Sequence, residues 1–236
     1  MIISSILLQI ATSVQDSVHS VSIPATPSVT QSLSFWDLII KGGPIMIPIG
    51  FLSLAGVYVF IERFITIKKA SKIDNNFMHS IRDYVHNGNI PAAIALCKNS
   101  PTPISRMIEK GLKRIGKPIR EIEDGIENVG KLEVYKMEKN VGLLGTIAGI
   151  APLFGFLGTI FGVIKIFYNI ALADNISIGL IAGGLYEKMI TSAAGLMIGI
   201  LAFIAHHILV MMVDKIVNKM EINAVDFMDL LQEPTK

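Results

Sequence analysis

From Met189 to Val213 the chain runs 25 residues without a formal charge, and Glu187 and Lys188 stand just before that run. A helix needs only ~20 apolar residues to cross the hydrocarbon core of a bilayer, so this segment is long enough to span. Backbone amides in lipid must be satisfied within the segment, and no stretch here alternates with the period-two pattern of a barrel strand. The segment therefore reads as a spanning helix. An ionisable group placed within such a helix costs roughly 2.5–3.5 kcal/mol on insertion scales, and groups retained at that cost mark ion or substrate paths.

Two further apolar runs match it. "GGPIMIPIGFLSLAGVYVFI" covers 42–61, and "VGLLGTIAGIAPLFGFLGTIFGVI" covers 141–164 and continues past Lys165. Charged residues make up 17% of the chain, against ~25% in soluble domains, and 51% are hydrophobic. The net charge of +2 and the lack of a Lys/Arg-rich block argue against nucleic-acid binding. A single cysteine, Cys97, excludes an internal disulfide and offers no metal-ligand spacing. Neither a metal nor any other cofactor is expected.

The expected fold is an all-α membrane protein with three transmembrane helices, long cytoplasmic helical extensions and a cytoplasmic helical insert. Its divisions are an N-terminal periplasmic extension or linker (1–35), a first span (36–66), a cytoplasmic helical domain (67–140), a second span (141–173), a third span (176–213) and a cytoplasmic tail (214–236). Arg63, Lys68, Lys69 and Lys72 follow the first span, Lys131, Lys136 and Lys139 precede the second, and Lys215 and Lys219 follow the third. The positive-inside rule then places the N-terminus outside and the C-terminus in the cytoplasm. The opening "MIISSILLQIATSVQDSVHS" lacks the preceding basic residues of a signal peptide and is read as an uncleaved interfacial segment, followed by a Ser/Thr/Pro linker.

Within the insert, Asp74 is expected to cap a helix that ends at "HNGN", with Gly88 beyond its C-terminus. Asn89 and Pro91 start a second helix, and "TPISRMIEKGLKRIG" gives a third that ends at Gly116. From Pro118 the helical pattern leads without a turn signal into the second span. The third span is expected to continue inward to about Leu231.

Small residues recur in the second span at Gly142, Gly145, Gly149, Pro152, Gly155, Thr159 and Gly162. The third span carries Gly183, Glu187, Thr191, Gly195 and Gly199 at spacings of four. Such stripes let helix backbones approach closely in lipid. Counting inward from the turn at 174–178, Glu187 lies roughly 13 Å deep, and Thr191 and Thr159 roughly 20 Å deep. Lys165 lies nearer the outer surface, where it can snorkel or pair with Glu187. Lys188 points about 100° away from Glu187 around the helix. His206 and His207, adjacent and so facing apart, make a poor metal pair and read as residues of the inner interfacial belt.

"APLFGFLGTIFGVIKIF" (151–167) followed by "GGLYEKMITSAAGLMIG" (183–199) resembles the second and third spans of the MotA/TolQ/ExbB proton-channel family. The first span looks most like the ExbB branch, and the resemblance covers roughly residues 36–220. It implies pore-lining roles for Thr159 in "GTIFG" and for Glu187, Thr191 and Ser192 around "TSAAGL". Lys188 stands where the family usually has a small residue, and Lys165 where many relatives have a neutral polar residue or histidine. Both are expected to modulate the path, while Gly145, Gly149, Gly155, Gly162, Gly195 and Gly199 are expected to serve helix packing.

The resemblance further implies a homopentamer around a dimer of single-span, ExbD-like partners. Proton flow in the bacterial inner membrane would drive a TonB-like protein and outer-membrane transport. A TolQ-like role in envelope constriction is the alternative, and the carboxylate and hydroxyls leave proton and sodium coupling both open. A secondary transporter would show internal repeats with broken spans, and a membrane enzyme would need a nucleophile, metal set or acid/base pair. Neither is found.

Overall fold

The computed structural model describes residues 42–72, 76–172 and 178–233, with Leu180 and Glu187 described by their backbone alone. The expected N-terminal extension and linker, Asp74, and the turn at 174–177 lie outside the described residues. Among the described residues seven helices follow in order: α1 (Met46–Ala70), α2 (Phe77–His86), α3 (Ile90–Asn99), α4 (Pro103–Leu112), α5 (Ile119–Glu138), α6 (Val141–Leu172) and α7 (Ile178–Gln232). The described residues contain no strand. Three stretches, in α1, along α5–α6 and in α7, are long and apolar enough to cross a membrane.

The helix ends follow local chemistry. Asn89 accepts a hydrogen bond from the Ala92 amide at 3.2 Å, with Pro91 in the first turn of α3. Thr102 caps α4 by accepting from the Ser105 amide at 3.3 Å, and Pro103 fills the first helical position. Gly88 (φ 67°) closes α2, a left-handed conformation that costs glycine little. The N-cap position of α2 is Asn76, two residues after the expected Asp74. The regular turns of α4 stop at Leu112, and irregular turns run on to Gly116 (φ 90°).

The expected continuous helix from Pro118 into the second span is interrupted. Lys139 is extended (φ −50°, ψ 130°) and Asn140 is left-handed (φ 66°), so α5 and α6 are separate helices. Asparagine tolerates this conformation better than most side-chain-bearing residues. By contrast α7 runs unbroken for 55 residues, one residue past the expected end, and is ~82 Å long.

α6 and α7 lie antiparallel along their full common length. α1 packs beside them, antiparallel to α6, with Gly56 against Leu144 and Ile147 and the Arg63 guanidinium donating to the Lys136 carbonyl at 3.3 Å. The C-terminal half of α7 carries Leu209, Val213, Ile216, Met220 and Phe227 into a polar-surfaced lobe built from α2–α5. Phe227 reaches Gly111 of α4, where a methyl group would sit 2.6 Å from its ring. Cys97 is buried in this lobe, and its thiol is pushed up to about 12 by burial and by the charge of Glu109.

Where the lobe meets α1, Glu133 is only 3% exposed. Burial alone raises a carboxyl pKa, but hydrogen bonds and charge from Arg106 and Lys136 outweigh it and hold Glu133 below the ordinary value of 4.5. Lys136 donates from 2.7 Å, and Arg106 makes the second bond. Because the folded-state pKa is depressed, the stabilisation is complete above the unfolded value near 4.5 and is lost as pH falls through the folded value. Glu133→Gln is expected to cost on the order of 3 kcal/mol at pH 7, a drop of roughly 6–12 °C in melting temperature. Melting curves of detergent-purified protein should show the gap between wild type and variant closing as pH is lowered below about 4.5. A pH-independent gap would contradict this account.

Candidate functional site in the paired membrane helices

The close approach of α6 and α7 is built from glycine. A methyl group on Gly195 would sit 2.6 Å from the Ala151 carbonyl oxygen and 2.9 Å from the Gly155 Cα. One on Gly155 would sit 3.0 Å from the Thr191 carbonyl oxygen and 3.1 Å from the Ser192 Cα. One on Gly199 would meet Pro152 at 2.5 Å and the Ala148 carbonyl oxygen at 3.1 Å. These contacts are with backbone or a rigid ring, so no side chain can swing aside. Gly145 lies opposite His206, with 3.3 Å between a built methyl and the imidazole Nε2.

Thr191 is central to this seam. It is 1% exposed, and its hydroxyl donates to the Lys188 carbonyl at 2.7 Å. The same hydroxyl lies against Gly158, where a methyl would come within 2.9 Å of the Thr191 Oγ1. Thr159 is the next residue on α6, so the two hydroxyls stand at one level. They do not meet within one chain: the Thr159 side chain is rotated out of the seam, is half-buried, and donates to the Phe156 carbonyl at 2.6 Å. Ser192, half-buried, faces the seam through its Cα.

The two lysines differ. Lys188 lays its side chain across Gly162, where a methyl would fall 1.9 Å from its Cγ, and its Nζ lies 3.8 Å from a methyl built on Gly43. Lys165 is exposed. Glu187 lies one turn before Thr191 in α7 and so shares its side of the helix, with only its backbone described. Gly142, Gly149 and Gly183 face open space. The small-residue stripes therefore split between two environments. A step of four residues advances 400° around the helix, so each step drifts ~40° and a long stripe leaves the seam it began in.

Several residues that shape the site were not singled out from sequence. Gly158 provides the surface for the Thr191 hydroxyl, and Gly42, Ile45 and Gly43 bring the start of α1 against Thr191, Gly158 and Lys188. The "GGP" at 42–44, just ahead of α1, carried that signal. Measured against α1, Thr191 marks one end of the region where all three helices overlap, and α6 continues 14 residues past Gly158 (158 to 172), ~21 Å. The depth counted from the 174–178 turn and the depth counted from α1 thus differ by about that length.

The arrangement offers hydroxyls, a carboxyl-bearing helix turn and close backbone packing. Among the described residues no group of three or more His, Cys, Asp or Glu is placed to hold a metal ion. A cavity of about 300 Å³ between α1, α6 and α7 is lined almost wholly by apolar side chains such as Phe60, Leu144 and Ile198.

Three membrane-length helices with a glycine-backed, hydroxyl-bearing seam define a multi-pass helical membrane protein. The model of the MotA/TolQ/ExbB proton channel family matches residues 99–222, and the chain belongs to that family. Its relatives place it in the ExbB-like branch. It is 26% identical over 183 residues to the biopolymer transport protein ExbB homolog of Methanothermobacter thermautotrophicus, covering 77% of this chain and 65% of that relative. It is 27% identical over 190 residues to the ExbB-like protein 1 of a Synechocystis species, covering 79% and 75%. Over 84 residues it is 31% identical to the Tol-Pal system protein TolQ of Haemophilus influenzae, covering 36% and 37%.

A methyl at Gly195 has only backbone to meet, whereas one at Gly149 meets nothing within 4 Å. Gly195→Ala should cost about 1–3 kcal/mol by overpacking, and Gly149→Ala should leave the monomer fold unaffected. Thermal unfolding in detergent distinguishes them, and equal melting temperatures would refute the packing assignment.

Proposed function

We propose that the protein is an ExbB-like subunit of a motor in the bacterial inner membrane, driven by ion flow through a pore lined by its second and third spans. The family match over 99–222 carries this reading. It is supported by the two hydroxyls of Thr159 and Thr191 at one level, with Glu187 a turn away. Glu187, Thr159, Thr191 and Ser192 are the proposed path residues, and Lys188 and Lys165 its modulators. A carboxyl kept beside an apolar span is retained for what its proton or charge does.

In this reading five copies surround a dimer of single-span, ExbD-like subunits, the N-terminus faces the periplasm, and the α2–α5 lobe lies in the cytoplasm. The work passes through a TonB-like protein to outer-membrane transport. The short TolQ match supports a second reading, in which the same machine serves the Tol-Pal system. Open-facing Gly142 and Gly149 give room for a neighbouring helix, which favours assembly over a lone chain.

The Thr159→Val substitution keeps the side-chain shape and removes its donor and acceptor. Gradient-dependent uptake through outer-membrane transporters should be abolished with the oligomer intact on native mass spectrometry, and Thr191→Val should be milder because Ser192 adjoins it. Glu187→Gln should likewise abolish uptake while pentamers still form. Full uptake with Gln would make Glu187 a packing residue, and loss of the oligomer would make its role structural. A stable monomer of the wild type would defeat the assembly.

A further inference from the structure

Outside the membrane-length seam, α5 and the far half of α7 diverge around an open groove of about 690 Å³. Its floor is apolar and rich in methionine, with Met107, Ile126, Met220 and Met228. Its lining runs from Glu123 to Glu138 on α5 and from Val217 to Gln232 on α7, 15 helical steps on each side, or ~22 Å. The rim is acidic: Glu123, Glu127, Glu138 and Glu221 line it against the single cation Lys131. Lys131 pairs with Glu127 at 2.6 Å, which leaves Glu123, Glu138 and Glu221 without an ion-pair partner among the described residues.

We propose that this groove is a docking site for a basic amphipathic helix of about 15 residues carried by another polypeptide. An α-helix of that length spans ~22 Å, the length of the groove. Its apolar stripe would cover the methionine floor, whose flexible thioethers adapt to irregular side chains. Its lysines or arginines would meet the three unpaired glutamates. The same charge disfavours nucleic acid and an anionic bilayer surface as occupants. The ion-path assignment is not needed for this inference, since no path residue lines the groove.

The test uses the full-length protein in nanodiscs of zwitterionic lipid and, as probe, a labelled 15-residue Leu/Lys amphipathic helix read by fluorescence anisotropy. Saturable binding is expected, weakening as salt rises. The Glu123→Lys/Glu221→Lys double variant should bind at least tenfold more weakly, and so should Ala224→Trp, which fills the groove without changing charge. Asp83→Lys, on the exposed face of α2, should bind as the wild type does. No saturable binding, or one affinity for all four proteins, overturns the proposal. A further variant, Val225→Cys, is treated with a bis-maleimide, with buried Cys97 as a poor competitor. Covalent dimers would show the groove covered by a second copy of this chain and would equally overturn it.

Discussion

Helices surrounded by lipid gain little from burying apolar side chains against one another, so what holds α6 to α7 must be close contact itself. That contact rests on three glycines, Gly155, Gly195 and Gly199, each set against backbone or a proline ring at distances no side chain would allow. Everything else in the membrane-length part follows from their spacing. The seam fixes which residue of α6 stands beside which residue of α7, and so puts Thr191 over Gly158 and lays Lys188 across Gly162. It also decides which polar groups stay inside the subunit and which are left for others. Thr191 is enclosed, with its hydroxyl spent on its own helix, whereas Thr159 at the same level is turned outward.

The α2–α5 lobe is held by different forces. Buried apolar side chains from α2–α5 gather around the extension of α7, and the buried charged side chains, Arg63 and Glu133, lie where that lobe meets α1. There Glu133 gathers Arg106 and Lys136, while Arg63, buried in α1, reaches the Lys136 carbonyl and pairs with Glu62 at 2.6 Å. Backbone and charge thus join α1, α4 and α5 at one point. Removing one partner of such a cluster is costlier than the bare strength of any single bond in it.

The three spans were legible in the sequence because uncharged runs of this length have few other uses. The caps at Asn89 and Gly88 were legible because each residue type has a local reason to be there. The break at Asn140 was not, since a single left-handed asparagine without neighbouring glycine or proline resembles an ordinary polar helix residue. The glycine stripes were legible as a spacing, but the surroundings of each glycine were not. A four-residue repeat drifts around the helix, so Gly155 and Gly195 are enclosed while Gly149 and Gly183 are open. Gly158 was hidden for a further reason: its importance lies in a contact with Thr191, 33 positions away in sequence. The Glu187 side chain lies outside the described residues, and its role stays with the proposal.

The two arms of the long hairpin differ mechanically. α6 ends at Asn140 and hands over to α5 through an extended residue, so its direction need not be passed on. α7 has no such joint. From Thr191 to Gln232 it is one rod of 42 residues, ~62 Å, anchored in the lobe by Phe227 and Leu230. A tilt of only ~5° about the level of Thr191 would carry its far end ~5 Å, about the rise of one helical turn. One arm is a continuous rod and the other is jointed, so α7, unlike α6, keeps one direction from the level of Thr191 into the lobe.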